Sequence, residues 1–234
     1  QIVYYFSAAL KLGAPDQAVS FSVPTGNFGD IFAGYLAKGM GLPVERLIVA
    51  TNKNDILHRF IRDNNYSVTD LSETFSPSMD ILVSSNFERY LFDLFDRDSS
   101  MLADFMGRFG KQTLSVSQQQ WQRVKDCFDS ASVDDATTCK VIAEVFQQTD
   151  KLLDPHTAVG VKAARDCGGS VDTPIIALAT AHPAKFSEAI TSAGLETPEL
   201  PVQLQDLFER EERYSVVANE LDEVTSFIKL HCRR

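Results

Sequence analysis

Between Val19 and Tyr35 the chain changes its period. Val19, Phe21 and Val23 alternate with serines, the pattern of a strand, until Pro24-Thr25-Gly26 stops the run. A short loop with a second glycine, Gly29, follows, and a helix-period pattern begins at Asp30. A strand that enters a glycine loop and leaves as a helix restricts this part of the chain to a βα unit. It also gathers unpaired backbone N–H groups at the positive end of a helix dipole, where a phosphate is readily held. The expected anion donors are the N–H groups of Gly26, Asn27, Phe28 and Gly29, helped by the side chains of Thr25 and Asn27. Asp30 would oppose an anion if it pointed inward, so it is assigned to the start of the helix, where a carboxylate is favoured.

The spacing excludes two familiar nucleotide loops. A P-loop needs four residues between its glycines and then Gly-Lys-Ser/Thr. Here only Asn27 and Phe28 separate the glycines, and no lysine follows until Lys38. The G-x-G-x-x-G dinucleotide fingerprint is absent as well. By spacing alone, the loop suits a phosphate grip and an ordinary strand-to-helix turn equally.

Further strands and helices alternate with this unit. Residues 1–12 form a helix pattern that reads as buried, and Gly13-Ala14-Pro15-Asp16 ends it. A strand is expected over 17–23, a helix over 30–39 and a buried strand over 47–51. Asn52-Lys53-Asn54-Asp55 offers N-cap residues to a helix carrying Ile56, Leu57, Phe60 and Ile61. This order predicts an α/β fold with a parallel sheet. From about 87 to 145 strand signals fade, and a helical insertion on the sheet scaffold is expected over about 87–150. A buried strand is expected again over 175–179. The large domain is placed at 1–198, and 199–234 is read as an acidic, helical C-terminal tail.

Composition narrows the function. The 234 residues carry a net charge of −10 and are 44% apolar, which suits a globular protein and disfavours nucleic acid as a partner. The acid surplus is uneven. Residues 1–60 hold five Lys/Arg against four Asp/Glu, whereas 61–160 hold nine against sixteen. Local donors, not bulk charge, must therefore bind the anion. Cys127, Cys139, Cys167 and Cys232 are widely spaced without a C-x-x-C pair, so neither a metal site nor a disulfide framework is expected. No membrane span and no signal peptide are seen, and a cytoplasmic location is expected.

Pro24-Thr25-Gly26-Asn27-Phe28-Gly29-Asp30 resembles the phosphate loop of the threonine synthase family, pyridoxal 5'-phosphate enzymes of fold type II. Ser76-Pro77-Ser78-Met79-Asp80-Ile81, Asp154-Pro155-His156-Thr157-Ala158-Val159-Gly160 and Ala179-Thr180-Ala181-His182-Pro183-Ala184-Lys185-Phe186 resemble the same family, in its order. The resemblance implies pyridoxal phosphate as cofactor and O-phospho-L-homoserine as the small-molecule substrate. It implies that Gly26, Asn27, Phe28 and Gly29 contact the cofactor phosphate and that Thr180 bonds the pyridine nitrogen. A phosphorylated substrate needs a second anion site, for which Ser85, Asn86 and Arg89 are the candidates; Arg89 equally suits a helix-surface ion pair with Glu88 or Asp93. His156 and His182, each beside a proline, are expected to be structural or to stand behind the site.

The family's Schiff-base lysine lies in an N-terminal part, and none of the ten lysines here sits in its usual setting. The chain starts at Gln1 with an apolar run already under way. It is therefore expected to be the C-terminal portion of a longer enzyme, with no catalytic residue of its own and inactive without its N-terminal part. The alternatives are a non-catalytic cofactor- or anion-binding fragment and another fold-type II lyase.

Overall fold

The computed structural model describes residues 1–170 and 172–232. The last two residues of the expected tail lie outside the described residues. The chain divides into two compact units, Gln1–Pro198 and Glu199–Arg234.

In the first unit, strands β1 (Val19–Pro24), β2 (Val44–Thr51), β3 (Phe128–Ser132) and β4 (Ile175–Ala177) form one sheet in the order β3-β2-β1-β4. Every pairing is parallel. The helices, in chain order, are α1 (Ile2–Lys11), α2 (Gly29–Gly39), α3 (Ile56–Asp63), α4 (Phe87–Leu94), α5 (Ser99–Gly107), α6 (Gln118–Cys127), α7 (Asp135–Thr149), α8 (Pro155–Cys167) and α9 (Ser187–Ser192). The alternation within β1 and β2 assigns their faces. Val19, Phe21, Val23, Leu47 and Val49 join the larger core with side chains of α1 to α6. Ile48 and Ala50 face the other way, onto Val159 and Ala163 of α8.

Short polar side chains cap four of the helices, α5 to α8. Asp98 accepts from the N–H groups of Ser100 and Met101 ahead of α5 (2.9 and 3.0 Å). Ser117 and Gln120 form a reciprocal capping box at α6. Asp134 caps α7, and Asp154 caps α8, whose first residue is Pro155.

Three expectations are corrected. The stretch expected to be helical holds α4 to α7 but is interrupted by β3, which pairs with β2 from Leu47↔Phe128 to Thr51↔Ser132. Phe-Asp-Ser-Ala-Ser has weak strand preference of its own; a partner strand and burial of the Phe128 ring hold it extended. The strand expected over 175–179 is shorter and half-buried, because β4 lies at the sheet edge. Helix α1 buries Tyr5 and Ala9, whereas Val3 and Tyr4 are 73% and 65% exposed, so only one face of it is core.

The second unit contains α10 (Leu221–His231), preceded by 3-10 turns at Val202–Leu204 and Leu207–Glu209. Among the described residues no helix is long and apolar enough to cross a membrane.

Gly34 shows how closely α2 seats between α1 and the sheet. A Cβ there would lie 2.5 Å from Tyr5 Cε1 and 2.9 Å from Leu47 Cδ2. Gly34→Ala is expected to destabilise the protein by about 1–3 kcal/mol, as overpacked cores do. Urea unfolding of the full-length enzyme measures it, and unchanged stability would contradict this packing.

Candidate functional site

The strand order reverses at β1. The chain moves from β1 outward through β2 to β3 and then returns to place β4 on the other side of β1. In an open parallel sheet, the loops leaving the carboxyl ends of two such strands diverge and leave a crevice between them. The loop after β1 begins at Thr25 and the segment after β4 leads to Thr180. Both line one pocket of about 360 Å³, with Ser78, Met79 and His156 among the remaining walls.

The β1–α2 loop presents its backbone to this pocket. No side chain caps α2. Among the described residues, the N–H groups from Gly26 through Ile31 have no hydrogen-bond acceptor, while Thr25 N–H is taken by Ala50 and Phe32 N–H by Phe28. A run of free donors at a helix N-terminus calls for an anion. The left-handed turn that aims them falls on neither glycine but on Phe28, with φ +63°. Such backbone costs a non-glycine residue about 1–2 kcal/mol. The Phe28 ring offsets this by burial, packing 5.1 Å from Phe87 and 5.7 Å from Phe128, centroid to centroid.

The glycines have different reasons. A Cβ on Gly26 would lie 2.7 Å from Ser78 O, so this position must be bare for the loop to rest on the Ser76–Asp80 turn. A Cβ on Gly29 would meet nothing closer than 3.5 Å. Thr25 turns its hydroxyl back to the Val23 carbonyl (2.6 Å), away from the anion role expected of it. Asp30 lines the pocket, with Oδ1 3.1 Å from the Tyr5 hydroxyl. Burial pushes its carboxyl pKa up, against the hydrogen bond from Tyr5.

Ser84, Ser85 and Asn86 brace the loop from outside. Ser84 Oγ donates to Gly26 O (2.9 Å), and both the backbone N–H and Nδ2 of Asn86 donate to Asn27 O (3.0 Å each). Ser85 N–H points to Asn27 Oδ1 at 3.5 Å. Arg89 is not brought to the pocket. Its guanidinium sits 4.5 Å over the Phe32 ring, in a separate groove between α2 and α4. Thr180 is exposed and lines the same pocket as the loop, and His182 accepts from Ala184 N–H (3.2 Å) at the start of a 3-10 turn. Of the pocket's lining residues one is a lysine, Lys185.

Two buried polar clusters secure the walls, and residue-by-residue inspection of the sequence passes over both. Asn52 and Asn54, expected as helix caps, instead direct their Nδ2 groups to Asp80 Oδ1 (2.7 and 2.9 Å). Asn52 also reaches Thr74 and Ser76, which fixes the turn that carries Ser78. On the other side Asp154 Oδ1 accepts from the His156 N–H (2.9 Å) and stands 3.0 Å from the ring Nδ1. Thr157 bonds Asp154 Oδ2. The Asp-Pro pair is a readable helix start, but the bonds its neighbours make across the fold are not.

Burial raises the Asp154 pKa, but the hydrogen bonds from His156 and Thr157 outweigh it and hold the carboxyl below its usual range. A carboxyl whose native pKa lies below the unfolded value of about 3.9 contributes stability above that pH and loses it as pH falls through the native value. The stability gap between wild type and Asp154→Asn should thus be full at neutral pH and close below about pH 4. A gap constant with pH would contradict this assignment. Phe28→Ala should cost about 3–5 kcal/mol in urea unfolding, as for other buried aromatic truncations.

The geometry has close counterparts. The family model described as "Threonine synthase, C-terminal" matches residues 157–228. The threonine synthase of Pseudomonas aeruginosa is 57% identical across 100% of this chain and 50% of its own length. That of Corynebacterium glutamicum is 44% identical across 97% of this chain and 49% of its own. The crystal structure of PLP-bound threonine synthase from Brucella melitensis superposes with a TM-score of 0.90 at 46% identity, covering 100% of this chain and 50% of that one. The chain thus spans about half the length of the relatives it matches. Identity of this extent, carried through sequence and backbone alike, means that the chain belongs to the threonine synthase family.

Proposed function

We propose that this chain supplies the phosphate cradle and the ring-nitrogen partner of a pyridoxal-phosphate-dependent threonine synthase. The enzyme is a carbon–oxygen lyase acting on a phosphate ester, converting O-phospho-L-homoserine and water to L-threonine and phosphate. The observation that carries the reading is the run of acceptor-free N–H groups from Gly26 to Ile31 at an uncapped helix N-terminus, in a pocket that Thr180 also lines. Such a run of backbone donors at a helix N-terminus suits a phosphate dianion. The pyridoxal phosphate held by the Brucella relative supports the choice of ligand.

Pyridoxal phosphate, when bound, supplies an electron sink for the pair left at the substrate's α-carbon. Gly26, Asn27, Phe28 and Gly29 bind the phosphate through backbone N–H groups, and Ser85 and Asn86 serve them by keeping the loop in place. The Thr180 hydroxyl would meet the ring nitrogen. A hydroxyl there exchanges a hydrogen bond without holding a proton on the ring as a carboxylate would, which tempers the sink. The lysine that carries the cofactor and shuttles protons belongs to the remainder of the enzyme.

Full-length enzyme given O-phospho-L-homoserine should form threonine and phosphate in equal amounts. Phosphate release without threonine would point to another lyase, and no turnover with tight cofactor binding to a non-catalytic module; either overturns the reading. Gly26→Ala, whose Cβ would meet Ser78 O at 2.7 Å, should weaken pyridoxal phosphate binding about tenfold or more by displacing the cradle. Fluorescence titration measures it, and an unchanged Kd would remove Gly26 from the cofactor site.

A further inference from the structure

Beneath the pocket, Asp154, His156 and Thr157 are 1%, 3% and 4% exposed. Asp154 needs one oxygen to cap α8. It uses both, and the two bonds it makes with side chains, those of His156 and Thr157, continue to the walls of the pocket. His156 Nε2 accepts the Ser78 N–H (3.3 Å). That nitrogen therefore carries a lone pair, and Nδ1 carries the proton donated to Asp154. Thr157 gives its only hydroxyl proton to Asp154 Oδ2, so its lone pair receives the Thr180 N–H (3.4 Å). The side-chain protons of His156 and Thr157 are thereby both directed to Asp154, and the N–H groups of Ser78 and Thr180 are directed to His156 and Thr157.

The frame of this cluster is itself fixed. Ser22 Oγ donates to Gly160 O (2.6 Å), and a Cβ on Gly160 would meet Pro24 Cγ at 3.1 Å, so α8 lies hard against β1. The carboxylate thus stands at a set distance from the end of β1, with one arm to the turn under Gly26 and the other to the segment after the half-buried edge strand β4.

We propose that Asp154 is a positioning residue. Through Thr157 it sets the place of Thr180, and through His156 it sets Ser78 beneath the phosphate loop. The inference rests on the cofactor reading above for what the two walls hold, and the bonds themselves are independent of it. Its consequence is a division of labour: the Thr157 arm governs the ring end of the cofactor, and the His156 arm governs the phosphate end.

The test uses the full-length enzyme. Thr157→Val removes the hydroxyl and keeps the shape and the N-cap; Thr157→Ser restores the hydroxyl. In cofactor-free protein, amide hydrogen exchange at Thr180 should rise about tenfold or more in Thr157→Val and return toward wild type in Thr157→Ser, because only the former lacks an acceptor for that N–H. In the holoenzyme, Thr157→Val should shift the visible absorption maximum of the cofactor and lower kcat about tenfold or more with KM little changed, while pyridoxal phosphate Kd stays within about twofold. His156→Ala should show the reverse weighting: a Kd raised about tenfold or more and an unshifted absorption maximum. Wild-type exchange at Thr180 in Thr157→Val would overturn the inference, as would a loss equal in Thr157→Val and Thr157→Ser. If the wild-type enzyme bound no pyridoxal phosphate, the cofactor reading would fall, while the exchange rates would still decide whether Thr157 holds Thr180.

Discussion

A bulky side chain is held at φ +63° in the middle of the glycine loop, and the rest of the site follows from how that is sustained. Left-handed backbone at Phe28 turns the chain from β1 into α2, where the N–H groups from Gly26 through Ile31 have no acceptor. An isolated loop would relax out of it. Phe28 stays because its ring is 2% exposed and fills a hole among Phe87, Tyr90 and Phe128. Those rings come from α4 and β3, far along the chain. Burial of a phenylalanine is worth about 1.5–3 kcal/mol, enough to offset the backbone cost. The conformation of the loop is therefore set by the core.

Strand order supplies the second constraint. Because β4 returns to the far side of β1, the segment bearing Thr180 leaves the sheet next to the loop bearing Gly26. Neither wall is held by apolar packing alone. Asp80 and its asparagines fix one turn, and Asp154 with His156 and Thr157 fixes the other side. A buried carboxylate such as Asp154 is costly unless its lone pairs are filled, and here hydrogen bonds fill them. The same filling makes each cluster rigid, which suits a pocket that must present groups at set distances.

Much of this was legible beforehand. The βα unit at Val19–Tyr35, the helices near the start, the parallel sheet and the loop itself follow from hydrophobic period and turn chemistry, which act over a few residues. The pattern failed at β3, where Phe128-Asp129-Ser130-Ala131-Ser132 has no local reason to be extended and becomes a strand only by pairing with β2. It also missed the duties of Asn52, Asn54 and Asp154, because a capping residue and a network hub look alike along the chain. Arg89 looked like an anion ligand for its nearness to a family-like segment, yet the helix that carries it turns it over Phe32.

The sequence by itself determined the local events: where a strand must yield to a helix, which face of each is apolar, and that backbone donors cluster at Gly26–Gly29. Tertiary structure decided what those events add up to. Which strands become neighbours, that Thr180 and the loop line one pocket of about 360 Å³, and which polar groups share Asp154 all depend on contacts between residues far apart along the chain. Such contacts leave no periodic trace in a single sequence, because their strength comes from burial and from hydrogen bonds completed only when the sheet closes around them.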